Sequence, residues 1–266
     1  MTTPTQPPGW AATLLSMGWV ERARAWGQWI MSAAMLTVLS LSPAELRRQR
    51  NGRISYDVVK ACWPLWPWLL LLIGSFLGVL FGLAFEAAAP LGLTRLAAEL
   101  IIRVVVLELA PLLVAMVVLI KITLPQTMHL RRLSREQASL EDAWEQGLHF
   151  EALPRILASF FAVVLISVSL TLLLLLLTYL QLYGFNPSGF NAFTRQIGLV
   201  FEPAMFIAWL VNIFLLAWCV SLLPMATLLV PSMAKVHNAD LQLQTLIRVV
   251  LILVVIKLLS LTAAYA

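Results

Sequence analysis

Apolar residues in this chain neither alternate nor follow a lasting amphipathic rhythm. They come in long runs separated by short polar segments. A membrane-crossing helix takes about 20 consecutive apolar residues, whereas a run of about 10–14 suits an interfacial or re-entrant piece. On that measure the pattern predicts five spans. The first is Ala61–Phe85, free of charge and opened by Trp63, Trp66 and Trp68 as an aromatic belt. The second, about Leu100–Leu124, holds Arg103 and Glu108 and has Lys121 near its end. The third runs from near Ile156 to about Tyr183 and is dense in leucine. A segment with turn chemistry follows, Tyr183-Gly184-Phe185-Asn186-Pro187-Ser188-Gly189. The fourth span, about Pro203–Val230, is interrupted by Pro224, a kink that serves either gating or packing, and is closed by Pro231. The fifth, about Ile247–Tyr265, has Arg248 at its start and Lys257 in its middle.

The polar segments divide the rest. Residues 1–10 carry three prolines and no charge and read as a disordered arm. No basic residue precedes the first apolar stretch and no small-residue cleavage site follows it, so a signal peptide is not expected. Residues 11–55 form an interfacial and juxtamembrane region. Within it Trp19, Trp26 and Trp29 gather around Glu21, Arg22 and Arg24, which predicts an amphipathic helix in the headgroup layer. Gln28–Leu41 is uncharged but short, and a sixth span there is the alternative. Residues 56–266 are the five-span domain. Between spans two and three, about 134–152, Leu140, Ala143, Trp144 and Leu148 share one helical stripe, with Glu136, Glu141, Asp142 and Glu145 elsewhere. Such a helix is either a handle for an attached motor or a surface connector. The fold class is therefore an all-α membrane protein.

Composition narrows the function. With 61% hydrophobic and 12% charged residues, and a mean hydropathy of +0.90, the chain has about half the charge of a soluble domain. It cannot build a water-facing surface, which excludes a soluble enzyme, and it is too apolar for disorder. The net charge of +5 fits membrane-flanking loops better than nucleic-acid binding. Lys and Arg concentrate before span one (Arg22, Arg24, Arg47, Arg48, Arg50, Arg53, Lys60) and around the loop between spans two and three (Lys121, Arg131, Arg132, Arg135, Arg155). The loop between spans one and two offers only Arg95, and that between three and four only Arg195. The N-terminus is thus expected in the cytoplasm and, after five spans, the C-terminus outside. Cys62 and Cys219 lie beside or within apolar runs and make no disulfide framework. His129, His149 and His237 show no metal-ligand spacing. Ser167 and Ser169 have no paired histidine, so no catalytic set is predicted. The chain also lacks GxxxxGK[ST], so any ATP must be held by another subunit.

In the second span stands Leu107-Glu108-Leu109-Ala110-Pro111. The following loop reads Glu136-Gln137-Ala138-Ser139-Leu140-Glu141-Asp142-Ala143-Trp144 and ends in Leu153-Pro154-Arg155-Ile156-Leu157-Ala158. These elements resemble the RELGP-like motif and the EQIDALRVMGIDPLRYLVLPRVLA-like stretch of MlaE-type (YrbE-type) permeases of Mce lipid-transport ABC systems. The resemblance runs from about Tyr56 to the C-terminus, and the chain is similar to a divergent member. Leu107 stands for the family's arginine, Ile120-Lys121-Ile122-Thr123 for Gly-Arg-x-Gly, and His129 for an acidic residue. Asn212 stands for a lysine in span four and Lys257 for an aspartate in span five. Ser232–Asp240 replaces a Gly-rich stretch.

That resemblance implies a permease subunit of an ABC-type lipid transporter in the bacterial inner membrane, with no catalytic site or cofactor of its own. Its implied partners are a cytoplasmic ATPase that uses ATP, an MCE-domain protein, membrane lipids and a second permease chain. A heterodimer is favoured, because a homodimer would repeat every departure. The alternative is a non-transporting scaffold that assembles such a complex. The implied lipid-cavity residues are Arg103, Leu107, Glu108, Asn212 and Lys257. The implied ATPase-coupling residues are Arg135, Glu136, Gln137, Leu140, Glu141, Asp142, Trp144 and Glu145. Charges inside a membrane cost about 2.5–3.5 kcal/mol each and default to function. Glu108 is either a cavity group or a buried structural carboxylate. Lys257 either pairs with it or snorkels, and Arg103 either replaces the missing arginine or, more simply, snorkels to the surface.

Overall fold

The computed structural model describes residues 19–41, 59–60, 63, 66–136, 149–229 and 238–265. Among them there are helices and no strands. Helix α1 is Trp19–Leu41 and α2 is Trp66–Ala88. α3 is a continuous helical run of five pieces: Thr94–Leu100, a π-helix Ile101–Leu109, Ala110–Val118, a second π-helix Leu119–Thr123, and Leu124–Glu136. α4 is His149–Tyr183, α5 Phe190–Val200, α6 Pro203–Ala226 and α7 Asn238–Tyr265. Among the described residues five stretches are long and apolar enough to cross a membrane: Trp66–Leu91, Leu96–Arg132, Ala152–Tyr183, Pro203–Ala226 and Ala239–Thr262. These are the five spans expected from the hydropathy pattern.

α4 and α6 form the centre of the bundle. α2 and α3 pack against α4, while α1, α3 and α7 pack against α6. One contiguous apolar core joins them, with Leu77, Phe81, Ile102, Leu170, Leu174, Ile213 and Leu216 all closed off. The outward faces are equally apolar, as Leu71, Leu72, Phe76 and Val79 on α2 and Leu251, Leu258 and Leu259 on α7 show. In water such patches would drive association. In hydrocarbon they are solvated. α2 meets α4 through Gly74, Gly78 and Gly82, whose missing side chains face Leu173, Leu177 and Gln181. The constant offset means that the two helices run parallel, and a Cβ at Gly74 would come within 2.7 Å of Leu173. Small residues at such spacing let two backbones approach where no hydrophobic effect drives them together. Gln181 Nε2 then donates to the Gly78 carbonyl at 2.8 Å.

The prolines shape the helices. A proline ring collides with the carbonyl four residues back and offers no N–H. Pro111 and Pro125 each stand two residues after a π-helical stretch. The wider turn removes the collision: Ala110 N–H reaches Val105 O, and Leu124 N–H reaches Leu119 O, five residues back in both cases. In α6, Pro224 is followed by a tightened 3₁₀ turn, Thr227–Leu229. Thr227 N–H bonds Pro224 O rather than Leu223 O. The released Leu223 carbonyl accepts the indole N–H of Trp29 at 3.1 Å. That bond ties α1 to α6, and Arg248 of α7 lies over the Trp26 and Trp29 rings at 5.5 and 6.0 Å.

Three expectations change in detail. The N-terminal segment is one helix of 23 residues packed on α6, and it is not among the stretches apolar enough to count as a span. The stretch after the Gly184 turn contains a helix, α5, where only a loop was expected. Of the segment expected as a helix over about 134–152, Ser134–Glu136 belong to α3 and His149–Ala152 to α4. Its middle, with Gln137, Leu140, Glu141, Asp142, Trp144 and Glu145, lies outside the described residues. The arm at 1–10 and most of Ser232–Asp240 do too.

Candidate functional site

Glu108 sits in the first π-helical stretch of α3, three residues before Pro111, where the backbone cannot keep the regular α repeat. Its carboxylate forms an ion pair with the ammonium of Lys257 on α7. The two side chains are only 16% and 11% exposed. A single charge at this depth would be expensive, and the pair replaces two such costs by a neutral unit joining two spans. Of the two roles open to Lys257, the geometry selects pairing over snorkelling.

Depth follows from the helix rise. Arg248 and Leu223 meet α1 near the end of the bundle that carries the basic segments, here called the basic end. From Arg248, Lys257 is about 14 Å along α7. From Leu223, Asn212 is about 16 Å along α6. Both groups therefore lie at similar depth, away from the basic end. Asn212 is 3% exposed, and neither its amide nitrogen nor its oxygen has a hydrogen-bond partner among the described residues. Leaving a buried polar group unsatisfied costs about 1–3 kcal/mol. The unpaired amide is thus a second polar group held at about the level of the ion pair.

Two other cavity candidates behave differently. Leu107 is 4% exposed and belongs to the apolar core. Arg103 pairs with Glu99 one turn back at 3.3 Å. Both side chains are partly exposed, so the local pair is compatible with Arg103 reaching toward the surface. Near the basic end, His129 Nδ1 stands 3.4 Å from a guanidinium nitrogen of Arg155, and Ser159 Oγ donates to Gln126 Oε1 at 3.2 Å. These contacts clasp α3 to α4 where the loop between spans two and three leaves the bundle. Arg135 and Glu136 lie on the last turn of α3. Among the described residues no group of three or more His, Cys, Asp or Glu converges as a metal site would need.

A feature the sequence reading missed lies at the opposite end. A cavity of about 860 Å³ opens between α5, the end of α4 and the start of α3. The apolar positions Phe190, Phe193, Ile197 and Val200, at helical spacing after Asn-Pro-Ser-Gly, are the signal that could have found α5.

The family profile described as Permease MlaE matches residues 61–264. No curated protein and no solved structure matches the chain. The profile takes in all five helical stretches long and apolar enough to cross a membrane and leaves α1 outside it. A match of that extent, over spans laid down in the expected order, makes this chain an integral membrane protein of the MlaE permease family.

Proposed function

We propose that the chain is one permease half of an ABC-type lipid transporter, working with a cytoplasmic ATPase, an MCE-domain protein and a second, more typical permease chain. The observation that carries this reading is the family match over residues 61–264. In it, the Glu108–Lys257 pair and the unpaired amide of Asn212 supply the polar points of an otherwise apolar lipid path. The chain sits in the bacterial inner membrane with the basic end in the cytoplasm, by the distribution of Lys and Arg. α1 lies along the headgroup layer at that end. Nucleotide chemistry belongs to the ATPase, whose handle is the segment from Arg135 to Glu145. A heterodimer is favoured because two copies would bring together two Leu107 and two Lys257, with no arginine among the cavity positions beyond Arg103.

Reversing Glu141 and Asp142 to lysine should reduce co-purified ATPase about tenfold, equivalent to about 1.4 kcal/mol. Undiminished co-purification and ATPase stimulation would refute the coupling role. A second reading, a non-transporting scaffold, is favoured by Leu107 being closed in the core and by Lys257 neutralising Glu108. Lipid transfer by the assembled complex separates them. Asn212→Leu should slow transfer in the transport reading and leave it unchanged in the scaffold reading.

A further inference from the structure

The cavity beside α5 is lined by polar as well as apolar side chains. α5 turns one face to it, placing Asn191, Arg195, Gln196 and Leu199 along its wall. Tyr183 closes the end of α4, and Thr94 contributes from the start of α3. The wall is fixed by its surroundings. Phe193 is 5% exposed and packs between Tyr179 and Tyr183 at ring distances of 5.2 and 6.3 Å. Tyr179 donates to the Asn186 carbonyl at 2.6 Å, and Asn186 in turn caps Ser188. Gly189 allows the turn to press against Tyr183, where a Cβ would come within 2.4 Å. The pocket therefore does not have to be ordered by its ligand, which removes one cost of binding.

Charge and depth together select the ligand. Arg195 is exposed, and among the described residues it pairs with no carboxylate and no acidic side chain lines the cavity. A guanidinium presents a planar fork of donors matched to phosphate oxygens. Hydroxyl and amide groups of Thr94, Tyr183, Asn191 and Gln196 surround it, while Leu182 and Leu199 add apolar wall. The volume lies within the range of about 300–1,000 Å³ common to small-molecule pockets. The cavity also sits where span two begins and span three ends, the depth at which aromatic residues mark the headgroup layer. We propose that this cavity binds the phosphate-bearing headgroup of an anionic phospholipid, with Arg195 as the anion contact and Leu199 against the start of an acyl chain. The site is separate from Glu108 and Lys257 and does not depend on the transport reading.

The test is native mass spectrometry of the full chain in detergent, titrated with phosphatidylglycerol, with diacylglycerol, or with inorganic phosphate alone. Arg195→Gln should weaken phosphatidylglycerol binding about tenfold and leave diacylglycerol unchanged. Leu199→Asp, which puts a carboxylate in the cavity, should weaken it at least as much. Lys121→Gln, outside the cavity, should have no effect. Unaltered phosphatidylglycerol binding in Arg195→Gln would overturn the proposal, as would an equal loss in Lys121→Gln. An Arg195-dependent response to inorganic phosphate alone would make this a free-anion site and also overturn it. So would an Arg195→Gln chain that holds the lipid normally but loses a membrane partner protein, the mark of an acidic protein segment as occupant.

Discussion

At the scale of the residue, the Glu108–Lys257 pair is costly to break and cheap to replace. Removing one partner leaves the other buried and uncompensated, at about 3–5 kcal/mol, whereas exchanging both for apolar groups can be nearly neutral. Glu108→Gln and Lys257→Met should each lower unfolding stability in detergent by an amount in that range. The double variant should recover much of it, giving a coupling energy well above the additive limit of about 0.5 kcal/mol. Losses that simply add would mean the two charges do not depend on each other. Both residues were legible as intramembrane charges, and their pairing stood as one of two alternatives that the sequence left open, because hydropathy does not set the rotation of a span about its axis. Arg103 shows the converse. Its partner Glu99 stands four residues before it in the sequence, yet a span begun at Leu100 leaves that carboxylate outside and makes snorkelling the natural reading.

At the scale of the element, the π-helical stretches decide which way α3 turns its polar groups. One extra residue in a turn shifts the phase of everything before it by about 100°. Glu108 faces Lys257 with that shift in place. Pro111→Ala removes the ring collision and lets the stretch return to the α repeat. The measurable consequence is a loss of coupling: the same Glu108 and Lys257 cycle, run on a Pro111→Ala background, should fall to about 0.5 kcal/mol or less. Persistent coupling would show that packing, not Pro111, holds the wide turn. Span positions were readable because about 20 apolar residues are a coarse, length-based signal. Hydrogen-bond register was not, since Pro111 and Pro125 in an apolar run suggest disturbance without saying if the helix kinks, breaks or widens. Gly74, Gly78 and Gly82 were open to the same reading, and their partner on α4 was not.

At the scale of the whole molecule, five crossings and one basic end fix the expected topology. A reporter fused after Ala266 should read as external, and one inserted near Gly147 as cytoplasmic, in a paired enzymatic-reporter assay. A cytoplasmic reading after Ala266 would require another crossing, with Gln28–Leu41 the first candidate. The expected arrangement relative to the bilayer rests on Lys and Arg alone. The docking of α1 was not legible, because it rests on a carbonyl released by a 3₁₀ turn far along the chain. That distance has a consequence in time. The indole of Trp29 and the carbonyl of Leu223 are 194 residues apart. At a synthesis rate of about 5–20 residues per second, the donor waits roughly 10–40 s before its acceptor exists. During that interval Trp29 must find water or lipid headgroups for its N–H, so α1, though made before all five spans, is among the last elements to reach its final place.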